Sequence, residues 1–425
     1  MVNSREVIKN SITGDEVVSI KHSSGLQILI CKMEGFSTTE VLFGTKYGSI
    51  NTMFKTVEDS EYTTVPEGIA HFLEHKLFEN EDTDVFELYA KTGACANAFT
   101  SFDKTCYLFS CSENFADSLR ILLSFVQEPY FTKENVDKEQ GIIGQEIQMC
   151  NDNPSWKVFF NLLRGMYHNH PVKIDIAGTI DSIAKIDHNL LYKCYNTFYN
   201  LNNMVLSIAG NVDEQEVLTI ADELLKPCKD IQLKTAMPQE PSTIVRSEVE
   251  ETLPVGTPIF SLGFKSKPEV AHANLKAELE AYVLANVLID VSSPTCEQML
   301  KQGLINSTLE AEVFNGDGFF STIISGQSEN PKEVRDRLFK AIADAKTNGI
   351  DRQSFEAIKK SIYGDLIKEY NNVSSVANEL VNSYFSGVQP FESLNVLSSI
   401  TYQDVQDCLK TRLDPEYAVL SVIKG

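Results

Sequence analysis

The segment Gly68-Ile69-Ala70-His71-Phe72-Leu73-Glu74-His75-Lys76-Leu77-Phe78 carries two histidines four residues apart, with a glutamate immediately before the second. It has no proline and no β-branched run, and its apolar residues recur with helical spacing, so a helix is expected. At about 100° per residue, His71 and His75 lie about 40° apart on one face, with Glu74 flanking them. Two neutral imidazoles so placed can grip one Zn²⁺, while the carboxylate between them stays free to take a proton from a zinc-activated water. The order His-x-x-Glu-His inverts the commoner arrangement of zinc peptidases. Phe72, Leu73 and Leu77 predict a largely buried helix, which argues against two merely solvated histidines.

A histidine pair needs a third ligand, and in peptidase chemistry this is usually a glutamate. The helical pattern from Lys133 to Cys150 carries Glu139 and Glu146, nearly two turns apart and therefore on one face. Glu146 is expected to be the third ligand and Glu139 a group that steadies a ligand, although spacing alone does not choose between them. His168 and His170, in a loop before Pro171, are expected to be exposed or turn-stabilising, as are the isolated His22, His188 and His272.

The elements that must position these groups follow from the same patterns. Three short strands are expected at 17–22, 26–31 and 41–44, then an acidic loop from Val57 to Gly68 leading into the motif helix. A helix at 84–91 precedes a hairpin formed by Ala94–Thr100 and Thr105–Ser110, whose small first-strand residues would either let an extended peptide backbone approach or pack tightly under the motif helix. Helices at 114–126, 133–150, 156–166 and 188–199, a strand at 204–210 and a helix at 214–225 complete the first half.

Residues 226–254 hold Pro227, Pro238, Pro241 and Pro254 among charges without periodicity, and read as a linker. Strands at 259–264, 308–313, 319–324 and 418–423, with helices at 271–289, 332–347, 352–370 and 376–384, then repeat the strand-and-helix pattern. The expected architecture is α+β, with two homologous α/β-sandwich domains, each an antiparallel-rich sheet covered by helices. The first, 1–226, would hold the metal; the second, 255–425, has no His-x-x-Glu-His, and its one histidine is His272.

Composition narrows the function. At 425 residues the chain exceeds one ordinary core. A net charge of -22 argues against nucleic acid, whose phosphates need clustered Lys and Arg. Nine scattered cysteines without a Cys-x-x-Cys pair suit free thiols in a reducing compartment. The opening Met1-Val2-Asn3-Ser4-Arg5-Glu6 has no apolar signal-peptide core, and no stretch approaches the roughly 18 apolar residues of a membrane span. A cytoplasmic protein without a membrane partner is expected.

With these motifs in order, the sequence resembles the pitrilysin, insulinase and mitochondrial processing peptidase family of inverted zinc metallopeptidases, over most of its length. Gly68 to His75 matches the family's zinc helix, Gly93 to Tyr107 the strand that follows, and Glu139 to Glu146 the downstream glutamate helix. His170-Pro171, Gly178-Thr179 and Tyr199 to Gly210 are similar to the end of the family's first domain. The resemblance implies His71, His75 and Glu146 as zinc ligands, Glu74 as general base and Glu139 as a supporting acid. It also implies an extended peptide substrate held along Asn97, Ala98 and Phe99.

The second half departs from the pattern. Active members place an Arg and a Tyr seven apart around a Gly-Leu, where they help bind substrate and polarise the scissile carbonyl. Here Gly303-Leu304 is flanked by Asn306 at the Tyr place and by Met299 or Lys301 at the Arg place. The chain is also about half as long as the single-chain members. The resemblance therefore implies the zinc-bearing subunit of a heterodimer whose homologous partner supplies the pair and closes a chamber around small or unfolded peptides. The alternatives are a non-catalytic scaffold or core subunit and a self-sufficient homodimeric peptidase.

Overall fold

The computed structural model describes residues 2–81 and 84–425, apart from the side chains of Ala271 and His272. The architecture is α+β, and Cα packing divides the chain into two units.

Unit 1 gathers Met1–Ile147, Asp175–Met237 and Ile367–Glu392. Its strands are β1 (Val2–Lys9), β2 (Glu16–His22), β3 (Gln27–Lys32), β4 (Thr39–Thr45), β5 (Met53–Lys55), β6 (Thr63–Thr64), β7 (Cys95–Thr100), β8 (Thr105–Cys111), β9 (Met204–Gly210) and β10 (Lys234–Thr235). The main sheet runs β1-β2-β3-β9-β4-β8-β7, and a small sheet runs β10-β5-β6. β9 enters between β3 and β4, parallel to the first and antiparallel to the second.

β4 and β9 are buried at every residue. A strand with no solvated face must be covered on both sides, which explains why these strands read as continuous apolar runs rather than alternating ones. The helices α1 (Ile69–Leu77), α2 (Val85–Thr92) and α3 (Phe115–Phe125) pack along the β7–β8 end, with α3 reaching β4. The helix Val373–Ser386 packs on β3, β4 and β9. α4 (Lys133–Asn151) carries the two glutamates.

Unit 2 gathers Gln148–Ile174, Pro238–Leu366 and Ser393–Gly425. It contains α5 (Pro154–Met166) and the strands β11 (Glu248–Thr252), β12 (Ile259–Ser266), β13 (Glu310–Gly316), β14 (Phe319–Gln327) and β15 (Ala418–Lys424), in the order β11-β15-β12-β14-β13. β15 is parallel to β11 and antiparallel to β12. This repeats the β3-β9-β4-β8-β7 order of unit 1, including the single parallel pair made by the last strand. Each unit has its own hydrophobic core.

The contiguous halves expected at 1–226 and 255–425 divide the chain differently from its packing. Residues 148–174 group with unit 2, where α5 packs on β11, β12 and β15, and 367–392 group with unit 1. Apolar periodicity shows that a helix has a face to bury but not which sheet will cover it. The 227–254 stretch, read as a linker, carries β10 paired with β5 and β11 paired with β15. Among the described residues, no helix is long and apolar enough to cross a membrane.

Candidate metal centre

α1 begins after Gly68, whose φ of 86° is left-handed; a Cβ there would meet the Ala177 carbonyl oxygen at 2.4 Å. Ile69, Ala70, Phe72, Leu73 and Leu77 are buried in the core, so close packing on one side of the helix fixes the polar groups on the other. His71 is buried, while Glu74 and His75 are half-buried. α4 presents Glu139, buried, and Glu146, half-buried, to the same place.

His71 Nε2 lies 3.4 Å from Glu146 Oε1, and His75 Nε2 lies 3.4 Å from Glu146 Oε2. One ligand atom from each of the three residues falls within 4.8 Å of the others, the one such cluster of His, Cys, Asp and Glu found among the described residues. The set fits a divalent transition ion: bonds of about 2.0–2.1 Å in tetrahedral geometry place donors about 3.3 Å apart. Two imidazoles and a carboxylate also match the borderline softness of Zn²⁺ and leave a coordination position open.

The two rings are held by different means. His75 Nδ1 is 3.1 Å from Glu139 Oε1, whereas His71 Nδ1 is buried without a hydrogen-bond partner among the described residues, and the ring depends on packing. Glu139 Oε2 in turn lies 3.7 Å from Nζ of Lys76, whose side chain is fully buried and also pairs with Glu79. Glu74 faces β7, where its Oε2 accepts a hydrogen bond of 2.6 Å from Thr100 Oγ1.

Electrostatics follow from this geometry. Burial opposes the charged form of His75, but its hydrogen bonds to Glu139 and Glu146 and the charge of Glu74 outweigh it and raise the imidazolium pKa to about 9. Hydrogen bonds from His71 and His75 hold Glu146 well below the usual carboxylate range against the effect of burial. Glu139 is pushed up by burial, yet His75 and the Lys76 charge bring it below its ordinary value.

Asn97, Ala98 and Phe99 lie on β7, which among the described residues pairs only with β8 and so leaves one edge of the sheet unpaired beside α1. The Ala98 amide donates to Asn97 Oδ1 at 2.9 Å. The structure therefore brings His71, Glu74, His75, Glu139 and Glu146 together and sets Asn97–Phe99 on the adjoining strand.

The remaining histidines have other partners. His22 is buried, accepting from the Ser24 amide at Nδ1 and pairing through Nε2 with Asp222 at 2.9 Å. His170 is buried as well: the Val172 amide donates to its Nδ1, and its Nε2 donates to the Asp317 carbonyl at 2.9 Å. Both stabilise turns. His168 Nε2 approaches Thr243 Oγ1 at 3.3 Å, and His188 is the first residue of a helix. The reading of His272 lies outside the described side chains.

In unit 2, Met299 is a core residue, Lys301 is paired with Glu297 at 2.5 Å and Asn306 is exposed. None of the three presents a guanidinium or a phenol. Sequence reasoning did not single out Lys76 or Thr100. A lysine in an otherwise apolar helix position was the available signal for the first; a partner on a neighbouring strand leaves none for the second.

Comparison with known proteins shows the family to which the chain belongs. Residues 60–180 match the family described as Insulinase (Peptidase family M16), and residues 185–362 match the Peptidase M16 inactive domain. The chain is 39% identical over 398 residues to the uncharacterized zinc protease YmfH of Bacillus subtilis (strain 168), covering 92% of this chain and 93% of that protein. It is similar to the crystal structure of an M16-like peptidase from Alicyclobacillus acidocaldarius, with a TM-score of 0.93, 32% identity, and coverage of 98% and 100%. It is 29% identical over 192 residues to the mitochondrial-processing peptidase subunit beta of Caenorhabditis elegans, covering 44% of this chain and 42% of that protein. The family match over 60–180 and the likenesses to the Bacillus subtilis and Alicyclobacillus acidocaldarius proteins over nearly the whole chain place the protein in the insulinase-type peptidase family M16.

Proposed function

We propose that the protein is a zinc-dependent endopeptidase acting on small or unfolded peptides, with His71, His75 and Glu146 as metal ligands. The observation that carries this reading is the convergence of the two Nε2 atoms on the Glu146 carboxylate at 3.4 Å each. Zn²⁺ bound there would supply a Lewis acid that polarises the scissile carbonyl and acidifies a water.

The chain's own residues do the rest. Glu74, flanking the cluster and not part of it, takes the proton from the attacking water and delivers it to the leaving amine. Glu139 holds the His75 ring through Nδ1, which leaves Nε2 as the nitrogen that would bind the metal. The unpaired edge of β7 receives an extended peptide as an added strand along Asn97, Ala98 and Phe99, so that recognition rests on main-chain hydrogen bonds and the substrate must be unfolded there. Elemental analysis of the purified protein with a peptide-cleavage assay tests this reading: zinc and cleavage, both lost in His71→Ala, are expected, and cleavage without zinc contradicts it.

We further propose that this chain is the zinc-bearing subunit of a heterodimer. Met299, Lys301 and Asn306 support this, because none supplies the guanidinium or phenol that the resemblance associates with substrate binding and carbonyl polarisation. Loss of one such donor costs roughly 3–4 kcal/mol in transition-state binding, enough to make the isolated chain slow. A scaffold role is disfavoured by the complete ligand set, and a homodimer would have to work without the pair.

A further inference from the structure

We propose that Thr100 is the positioning residue for Glu74: its hydroxyl anchors one carboxylate oxygen so that the other faces the reacting water. The inference rests on the reading of Glu74 as the proton acceptor and deepens it. Thr100 Oγ1 to Glu74 Oε2 is 2.6 Å, in the range of a charge-assisted O–H···O⁻ bond. It is the only side-chain hydrogen bond that Glu74 makes among the described residues.

A hydroxyl has one proton, so where it points must be decided. Thr100 Oγ1 also lies 3.2 Å from Thr105 Oγ1, its cross-strand partner in the β7–β8 ladder. Thr105, fully buried, commits its own proton to the Tyr47 carbonyl at 2.8 Å, and is left only as an acceptor toward Thr100. Between a neutral acceptor at 3.2 Å and a carboxylate at 2.6 Å, the carboxylate wins, since charge-assisted bonds are about twice as strong as neutral ones.

The mount is stiff at each step. Thr100 is the last residue of β7, Thr105 the first of β8, and the Tyr47 ring stacks on Phe198 at 3.7 Å. A β-branched Thr also has few χ1 choices. Glu74, with three side-chain torsions on an unpaired carboxylate, would otherwise sample several rotamers. Held by Thr100, it keeps Oε1 as the free oxygen.

The test compares Thr100→Val, which keeps shape and strand preference, with Thr100→Ser, which keeps the hydroxyl, and with Glu74→Gln, in the full chain together with any co-purifying partner. Thr100→Val is expected to lower kcat about 10–100-fold, with KM within about twofold and zinc content unchanged, and Thr100→Ser to recover most of the rate. A crystal structure of each metal-free variant gives a second readout: one Glu74 rotamer in the parent and Thr100→Ser, a turned or multiple side chain in Thr100→Val. Should Thr100→Val fail to fold, Thr100→Ala serves the same two measurements. Unaltered kcat and an unmoved Glu74 in the hydroxyl-free variants overturn the proposal alone if Glu74→Gln is inactive. An active Glu74→Gln overturns the reading of Glu74 itself, and this inference with it.

Discussion

Glu139 reaches from α4 to His75 on α1, its Oε1 3.1 Å from the imidazole Nδ1, and so fixes which ring nitrogen is left for a metal. A carboxylate in this place orients the ring and raises its basicity. Glu139→Gln keeps shape but removes the charge; the expected outcome is a protein that folds, binds zinc about 10–100-fold more weakly in a chelator competition, and loses activity in step.

Lys76 gives Glu139 its second partner, with Nζ 3.7 Å from Oε2 in a fully buried side chain. Lys76→Met replaces the ammonium by an apolar group of similar length. Breaking a buried pair can cost about 3–5 kcal/mol, but Glu79, the nearer partner, has 40% of its side chain in solvent and recovers hydration. A loss of about 1–3 kcal/mol in urea unfolding is expected, with weaker zinc binding because Glu139 is no longer held.

The raised pKa of His75, about 9 in the metal-free protein, sets a pH dependence. A ligating imidazole must be neutral, so zinc displaces a proton at every pH below that value, and affinity should fall about tenfold per pH unit on acidification. The sign for stability is opposite. A histidine whose folded pKa lies above its unfolded value of about 6.5 stabilises the fold fully below that pH and loses the contribution as pH rises through about 9. Thermal melts should therefore show the metal-free protein weakening from pH 6.5 toward 9 while the zinc-loaded protein does not, and parallel curves would refute the assignment.

Much of the site is legible in the sequence because it is built on helical periodicity. His71 and His75 at i and i+4, and Glu139 and Glu146 nearly two turns apart, must share faces in any helix. The β7–β8 hairpin also follows from its β-forming residues and short turn. What stays hidden depends on tertiary pairing. β9 slides between β3 and β4, α5 packs on the unit 2 sheet, and Thr100 meets Glu74 across 26 residues of chain. β1 has no buried alternation to betray it, being exposed at nearly every position. The helix Tyr402–Arg412 was legible in principle: its start at Thr401 carries a capping box with Asp404, a signal of local chemistry rather than of apolar period.

The partner hypothesis predicts a quantitative difference. The purified chain alone should cleave an unstructured peptide at least about 100-fold more slowly than the reconstituted pair, as expected when one oxyanion donor is missing. Equal rates would show that the chain is sufficient by itself or as a homodimer.

In the proposed reaction His71, His75 and Glu146 hold the metal while Glu74 moves the proton. Its most direct test is zinc content and peptide turnover measured on the same preparation of Glu74→Gln, beside the parent protein. One zinc per chain is expected in both and turnover only in the parent; turnover by Glu74→Gln, or a parent that cleaves without zinc, would overturn these assignments.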